Sequence, residues 1–133
     1  MNTFLPYPDF ERSAACLDRS RLGKQRLEAI TLLAAITKGN GWSKHPAAKM
    51  WKGFPDALCL YFNAVMHEWE RRGYRNEKLK FMSLPAKEVQ MPPWLGDERV
   101  HSSQRANLLR KNPKWYGQFG WAEQPVEGYF WPV

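Results

Sequence analysis

Apolar positions recur at helical spacing through most of this chain, while strand signals are weak throughout. The plainest case runs from about Pro55 to Arg72, where Leu58, Phe62, Val65 and Trp69 share a core-facing stripe. Pro55 suits the first helical position and Gly73 the C-terminal stop. A longer helix is predicted from the N-cap candidate Asp18 to about Lys38, stopping at Gly39, with a turn at Asn40-Gly41. Asp9 is placed to cap a short helix over Phe10–Cys16, and Pro46 opens another that ends near Trp51-Lys52-Gly53. Asp97 begins a last long helix over Glu98–Lys111, which Asn112-Pro113 closes. The arm Met1–Pro8 reads as extended, and Arg75–Pro93 as irregular with one helical turn around Glu77–Phe81. From Pro113 to Val133 the tail is rich in aromatics: Trp115, Tyr116, Phe119, Trp121, Tyr129, Phe130 and Trp131. The expectation is an all-α fold: a single compact domain over residues 1–133, of about four to six helices with long ordered loops and an aromatic-rich C-terminal segment.

The Asp18–Lys38 helix is the one whose pattern carries chemistry. At roughly 100° per residue, Arg21, Lys24, Gln25 and Glu28 fall in one narrow arc, which continues as apolar Leu32 and Ala35. The other side is apolar, with Leu22, Leu27, Ala29, Ile30, Leu33 and Ala34. The second half of the helix is therefore expected to be buried nearly all round, and the first half to open on a polar pocket or groove. A carboxylate among cations and an amide suits a site that handles an anionic sugar-phosphate. Arg26 projects on the apolar side, where a charge must be paired or used. The plainer alternative is a solvated Lys24–Glu28 pair at i,i+4, worth roughly a few tenths of a kcal/mol.

Two further places hold polar groups in useful positions. His45, just before Pro46, stands at a helix start, where outward N–H groups suit phosphate contact; the alternative is a structural hydrogen-bonding histidine. On the Glu98–Lys111 helix, His101, Gln104 and Arg105 share a face, with Arg110, Lys111, Trp115 and Tyr116 following. Basic and amide groups leading into aromatics suit a nucleic-acid backbone with extruded or unstacked bases. The alternative is a solvated helix flanked by core aromatics.

Composition narrows the class. Lys and Arg number 20 against 13 Asp and Glu, giving a net charge of +7, and nucleic acid is the commonest partner of so basic a chain. An apolar content of 44% supports a packed core and excludes disorder. Cys16 and Cys59 belong to no C-x-x-C pair, which argues against zinc and for two buried reduced thiols over a disulfide. The start MNTFLPYPDF lacks the basic and apolar regions of a signal peptide, and no apolar run nears the ~18 residues of a membrane span. A cytoplasmic protein that does not engage membranes is expected. There is no G-x-S-x-G, no H-E-x-x-H, no glycine-rich phosphate loop and no close carboxylate pair for a two-metal centre. No metal or organic cofactor is implied.

Taken in order, Leu22-x-x-x-x-x-Glu28, His45-Pro46, Trp69-Glu-Arg-Arg-Gly73-Tyr74 and Asn112-Pro113-Lys-Trp115-Tyr116-Gly-Gln-Phe119-Gly resemble the pyrimidine-dimer DNA glycosylase family. A phage repair enzyme also called endonuclease V typifies that family. The resemblance implies a monomeric helical enzyme on double-stranded DNA, whose α-amine attacks C1′ of a damaged nucleotide. The base leaves, a Schiff base forms, and β-elimination can nick the strand. An α-amine titrates near ~8 against ~10.4 for lysine, so more of it is unprotonated at neutral pH. Matched by motif, the helix glutamate that moves protons and stabilises the cationic sugar is Glu28. The late segment with Trp115 and Tyr116 resembles the part that grips DNA around the lesion. Leu27 stands where the family has arginine, which leaves the phosphate role to Arg21, Lys24 or Arg26. Asn2 follows Met1 where the type enzyme exposes threonine after losing its initiator, so the nucleophile is Met1, a processed terminus at Asn2, or Lys24. The lesion is a pyrimidine dimer by resemblance. The alternatives are a non-catalytic nucleic-acid-binding module on this fold, and an enzyme that cleaves the glycosidic bond of another modified nucleotide.

Overall fold

Helices and connecting loops make up the whole chain, with no strand, in a computed structural model that describes residues 1–133. Helix α1 spans Phe10–Cys16, α2 Arg19–Thr37, α3 Pro46–Lys49, α4 Pro55–Arg71, α5 Glu98–Lys111 and α6 Pro113–Tyr116, followed by a 3-10 turn over Gly117–Phe119. The all-α expectation holds, and the long helices begin and end where caps and prolines predict. Asp9 accepts from the Arg12 N–H at 2.8 Å and Asp97 from the Arg99 N–H at 3.0 Å.

Some local expectations change. Asp18 sits at the N-cap of α2 but does not cap it, because its carboxylate accepts instead from the Tyr116 hydroxyl and from Arg21 at 3.2 Å. Asn112 ends α5 as predicted, then also starts α6: its side chain accepts from the Trp115 N–H at 3.1 Å with Pro113 at the first position. No helical turn forms over Glu77–Phe81. There, side-chain amides replace helical bonds, with Asn76 donating to the Leu79 carbonyl at 3.0 Å and Asn63 accepting from the Met82 N–H at 2.8 Å. The second half of α2 is not buried all round: Ile30, Leu33 and Ile36 are half-buried, because α3 and α4 cover only part of its circumference.

Helix α4 is the centre of the packing. Its predicted stripe of Leu58, Phe62, Val65 and Trp69 is buried, and α1 and α2 both lie against it. Where α2 crosses α4 the helices approach so closely that a Cβ on Gly23 would come within 3.2 Å of the Trp69 ring. Arg72 ties the end of α1 to α4: its guanidinium donates to the Leu17 carbonyl at 2.8 Å and to Glu68 at 2.6 Å. Trp51, Leu22, Leu32 and Leu108 complete a core in which each fully buried large side chain contributes about 1.5–3 kcal/mol. Cys16 and Cys59 are both free, and burial pushes the Cys16 thiol up to about 12. No helix is long and apolar enough to cross a membrane.

Candidate active site

Asn2 to Pro6 run extended and buried through this helical core. Such a segment has no ladder partner for its amides and carbonyls, so side chains must supply every bond. Gln25 of α2, itself fully buried, brackets the arm. Its Oε1 accepts from the Phe4 N–H at 3.0 Å and from the Tyr61 hydroxyl, and its Nε2 donates to the Asn2 carbonyl at 2.9 Å. The Tyr61 hydroxyl also lies 3.2 Å from the Phe4 carbonyl, and burial raises its pKa, so it stays a neutral donor. From α5, His101 Nδ1 donates to the Leu5 carbonyl at 2.8 Å while Nε2 accepts from the Gly96 N–H at 2.9 Å, which fixes the tautomer. Arg105 donates to the Pro6 carbonyl at 2.8 Å, and Trp51 Nε1 to the Thr3 hydroxyl at 3.0 Å.

The arm carries the chain's start onto Glu28. The Glu28 Oε2 accepts from Gln25 Nε2 at 2.7 Å and lies 3.4 Å from the Asn2 backbone nitrogen. One buried amide therefore orients both the arm and the carboxylate. The Asn2 side chain donates to Gln104 Oε1 at 3.3 Å, which anchors the same residue from α5. Beyond it, His45 lies within the electrostatic reach of the terminal amine. Its pKa is lowered by burial first and then by the positive charge of that amine. His45 Nδ1 accepts from the Ala47 N–H at 3.0 Å, capping α3 and leaving the proton on Nε2. Trp42 and Trp131 meet the imidazole edge-on, at centroid distances of 5.4 and 5.7 Å, so the tail returns to the start of the chain.

Among the residues expected to do chemistry, Asn2 and Glu28 meet, with half-buried Met1 beside them. Lys24 stands exposed and makes no ion pair with Glu28, so the solvated-pair alternative is not what forms. Several residues expected to touch DNA do something else. Gln25, His101, Gln104 and Tyr116 are buried, with no surface to offer a duplex. The first three serve the arm. The Tyr116 hydroxyl accepts from the Asp18 N–H at 3.0 Å, and burial, with its bond to the Asp18 carboxylate, raises its pKa. Arg105 spends its guanidinium on Glu98, on Glu123 at 2.9 Å and on the arm. Arg21 is held by Asp18. Arg26, whose charge needed an explanation, lies over the Trp69 ring at 4.0 Å. Arg110, Lys111 and Trp115 remain exposed, and Lys111 Nζ lies 5.0 Å from the Phe4 ring centre, beside the arm.

Sequence reasoning passes over Thr3, Trp42 and Tyr61, and names Trp131 only as one of the tail's aromatics, with no place at His45. Tyr61 does leave a signal, since a phenol in a core helix requires a hydrogen-bond partner. Trp42 and Trp131 leave none, because only the chain's return brings them to His45.

A family model described as pyrimidine dimer DNA glycosylase matches residues 1–82, from the arm through α4 into the loop that follows. Comparison with curated proteins and with solved structures finds no match.

Proposed function

The chain belongs to the pyrimidine dimer DNA glycosylase family, and on that premise we propose that it excises a damaged base from double-stranded DNA with its terminal α-amine as nucleophile and Glu28 as proton acceptor. The observation that carries this reading is the Glu28 carboxylate 3.4 Å from the Asn2 nitrogen, both oriented by Gln25. The amine nitrogen donates its lone pair to C1′ as the C1′–N bond breaks, and the base leaves with that bonding pair and takes up a proton. Glu28 accepts a proton from the attacking nitrogen. The C1′–O4′ bond then opens, O4′ is protonated, and nitrogen forms a C=N bond to C1′. The carboxylate stabilises this iminium cation. Loss of a C2′ proton expels the 3′-phosphate, and water returns the amine.

The residue-2 nitrogen is an amide while Met1 is in place, so the nucleophile is the Met1 amine one residue farther along. Removal of Met1 would make the nitrogen beside Glu28 the amine itself. Lys24, Arg110, Lys111 and Trp115, all exposed, are the groups assigned to the DNA; Arg21 is already held by Asp18, and Arg26, lying over Trp69, borders the surface beside Lys24.

Borohydride reduction on duplexes with a pyrimidine dimer or an abasic site tests the reading. A covalent adduct is expected on the N-terminal peptide, and its mass identifies the residue that carries the amine. Glu28→Gln is expected to slow base release by on the order of 10²-fold or more. Absence of any adduct, with Glu28→Gln as active as wild type, would overturn it.

A further inference from the structure

One residue before Glu28, Leu27 stands 58% exposed on the outer crest of α2. An isolated exposed leucine is ordinary; the setting of this one is not. It borders two surface clefts, one of about 340 Å³ toward Arg75, Lys78 and Leu79, the other of about 550 Å³ toward Arg19, Lys24 and Trp69. Arg26 borders both. The one carboxylate among these lining groups is Glu77, already paired with Arg75 at 3.4 Å. Beside the clefts the cations rest on aromatics: Arg26 lies over Trp69 at 4.0 Å, Trp69 meets Tyr74 at a tilt with centroids 4.5 Å apart, and Arg19 lies over Tyr74 at 4.7 Å. An aliphatic side chain is thus raised between cationic clefts. That arrangement complements a duplex, with phosphates for the cations on either side and an apolar base stack for the leucine.

A glycosylase must bring C1′ of a stacked nucleotide to its nucleophile, and this requires unstacking. Apolar wedges offset that cost by filling the opened step. We propose that Leu27 inserts into the base stack at the lesion and opens the step, so that the sugar reaches Glu28 and the terminal amine. The inference rests on the glycosylase reading above. Its occupant is a base step of duplex DNA, held by the flanking Arg and Lys side chains. The wedge and the carboxylate are neighbours in sequence but 100° apart on the helix, so insertion at the crest and chemistry on the flank do not compete for the same space.

The test compares wild type, Leu27→Ala and Leu27→Met on a duplex carrying a cyclobutane pyrimidine dimer with 2-aminopurine beside it. Fluorescence at saturating protein reads unstacking, and single-turnover base release reads chemistry. Wild type is expected to raise the fluorescence. Leu27→Ala should bind within about threefold of wild type, lose most of that rise and release base about tenfold or more slowly. Leu27→Met, which restores apolar length, should recover both. On a duplex mismatched opposite the dimer, where the stack is already open, the deficit of Leu27→Ala should shrink to about threefold. Because the side chain is exposed, the thermal midpoint should not move. If Leu27→Ala unstacks and releases base as wild type does, Leu27 is not a wedge. If wild type itself releases no base, the glycosylase reading fails, while the fluorescence still scores the wedge separately.

Discussion

Replacing Gln25 with leucine keeps the volume of a fully buried side chain and deletes both ends of its amide. The partners that lose it are the Phe4 N–H at 3.0 Å, the Asn2 carbonyl at 2.9 Å and the Glu28 carboxylate at 2.7 Å. The Tyr61 hydroxyl keeps the Phe4 carbonyl as acceptor at 3.2 Å, and half-exposed Glu28 can turn to water. What remains is a pair of backbone groups orphaned in a dry interior, each worth about 1–3 kcal/mol. The total is held near 2–5 kcal/mol because the arm can detach instead, giving up the burial of Phe4 and Leu5 at about 1.5–3 kcal/mol each. That is a large part of a stability of about 5–15 kcal/mol for a domain of this kind. Urea unfolding should show the loss as a lower midpoint, and hydrogen exchange should show the Phe4 and Leu5 amides opening well below the global unfolding energy. Borohydride trapping should fall about tenfold or more, because the arm that carries the terminal amine is no longer held beside Glu28. A Gln25→Leu chain within about 0.5 kcal/mol of wild type, with its arm amides still protected, would refute the claim that this amide holds the site together.

Glu68 sets an acid limb. Burial raises its pKa, but hydrogen bonds and charges from Arg71 and Arg72 outweigh burial and leave it below the ordinary 4.5. Its folded pKa lies below the unfolded one, so its stabilisation is complete above about 4.5 and disappears as pH falls through the folded value. Glu68→Gln should therefore flatten the fall in thermal midpoint at acid pH, and an unchanged limb would count against the pairing. Arg110→Ala and Lys111→Ala remove exposed cations without a carboxylate partner. Each should weaken binding evenly across DNA sequences and reduce the salt slope of log K by about one, and a slope that does not change would remove these residues from the interface.

The helices of this protein are legible in its sequence because their signals are local. Asp9, Pro46, Pro55 and Asp97 act within a turn of where they stand, and the stripe on α4 is a matter of period alone. The arc on α2 is legible for the same reason, and Glu28 stands on it. Even there the pattern misleads at Leu27, which is apolar and yet exposed, because periodicity records which residues share a face and not which face the neighbours cover.

The destination of the polar side chains is a different matter. Gln25, His101, Gln104 and Arg105 look like groups offered to DNA, since a helix displaying amides and cations usually displays them outward. The tertiary structure turns them inward, because a buried extended arm with no ladder must find its hydrogen bonds on whatever helices surround it. Nothing local in Asn2–Pro6 announces that burial; it follows from how α2, α4 and α5 come together around the arm. By itself, then, the sequence determined the helices, the basic balance and a carboxylate on a polar arc. Only the folded chain decided that this carboxylate meets the chain's own beginning, since that contact joins residues 26 positions apart through a buried glutamine.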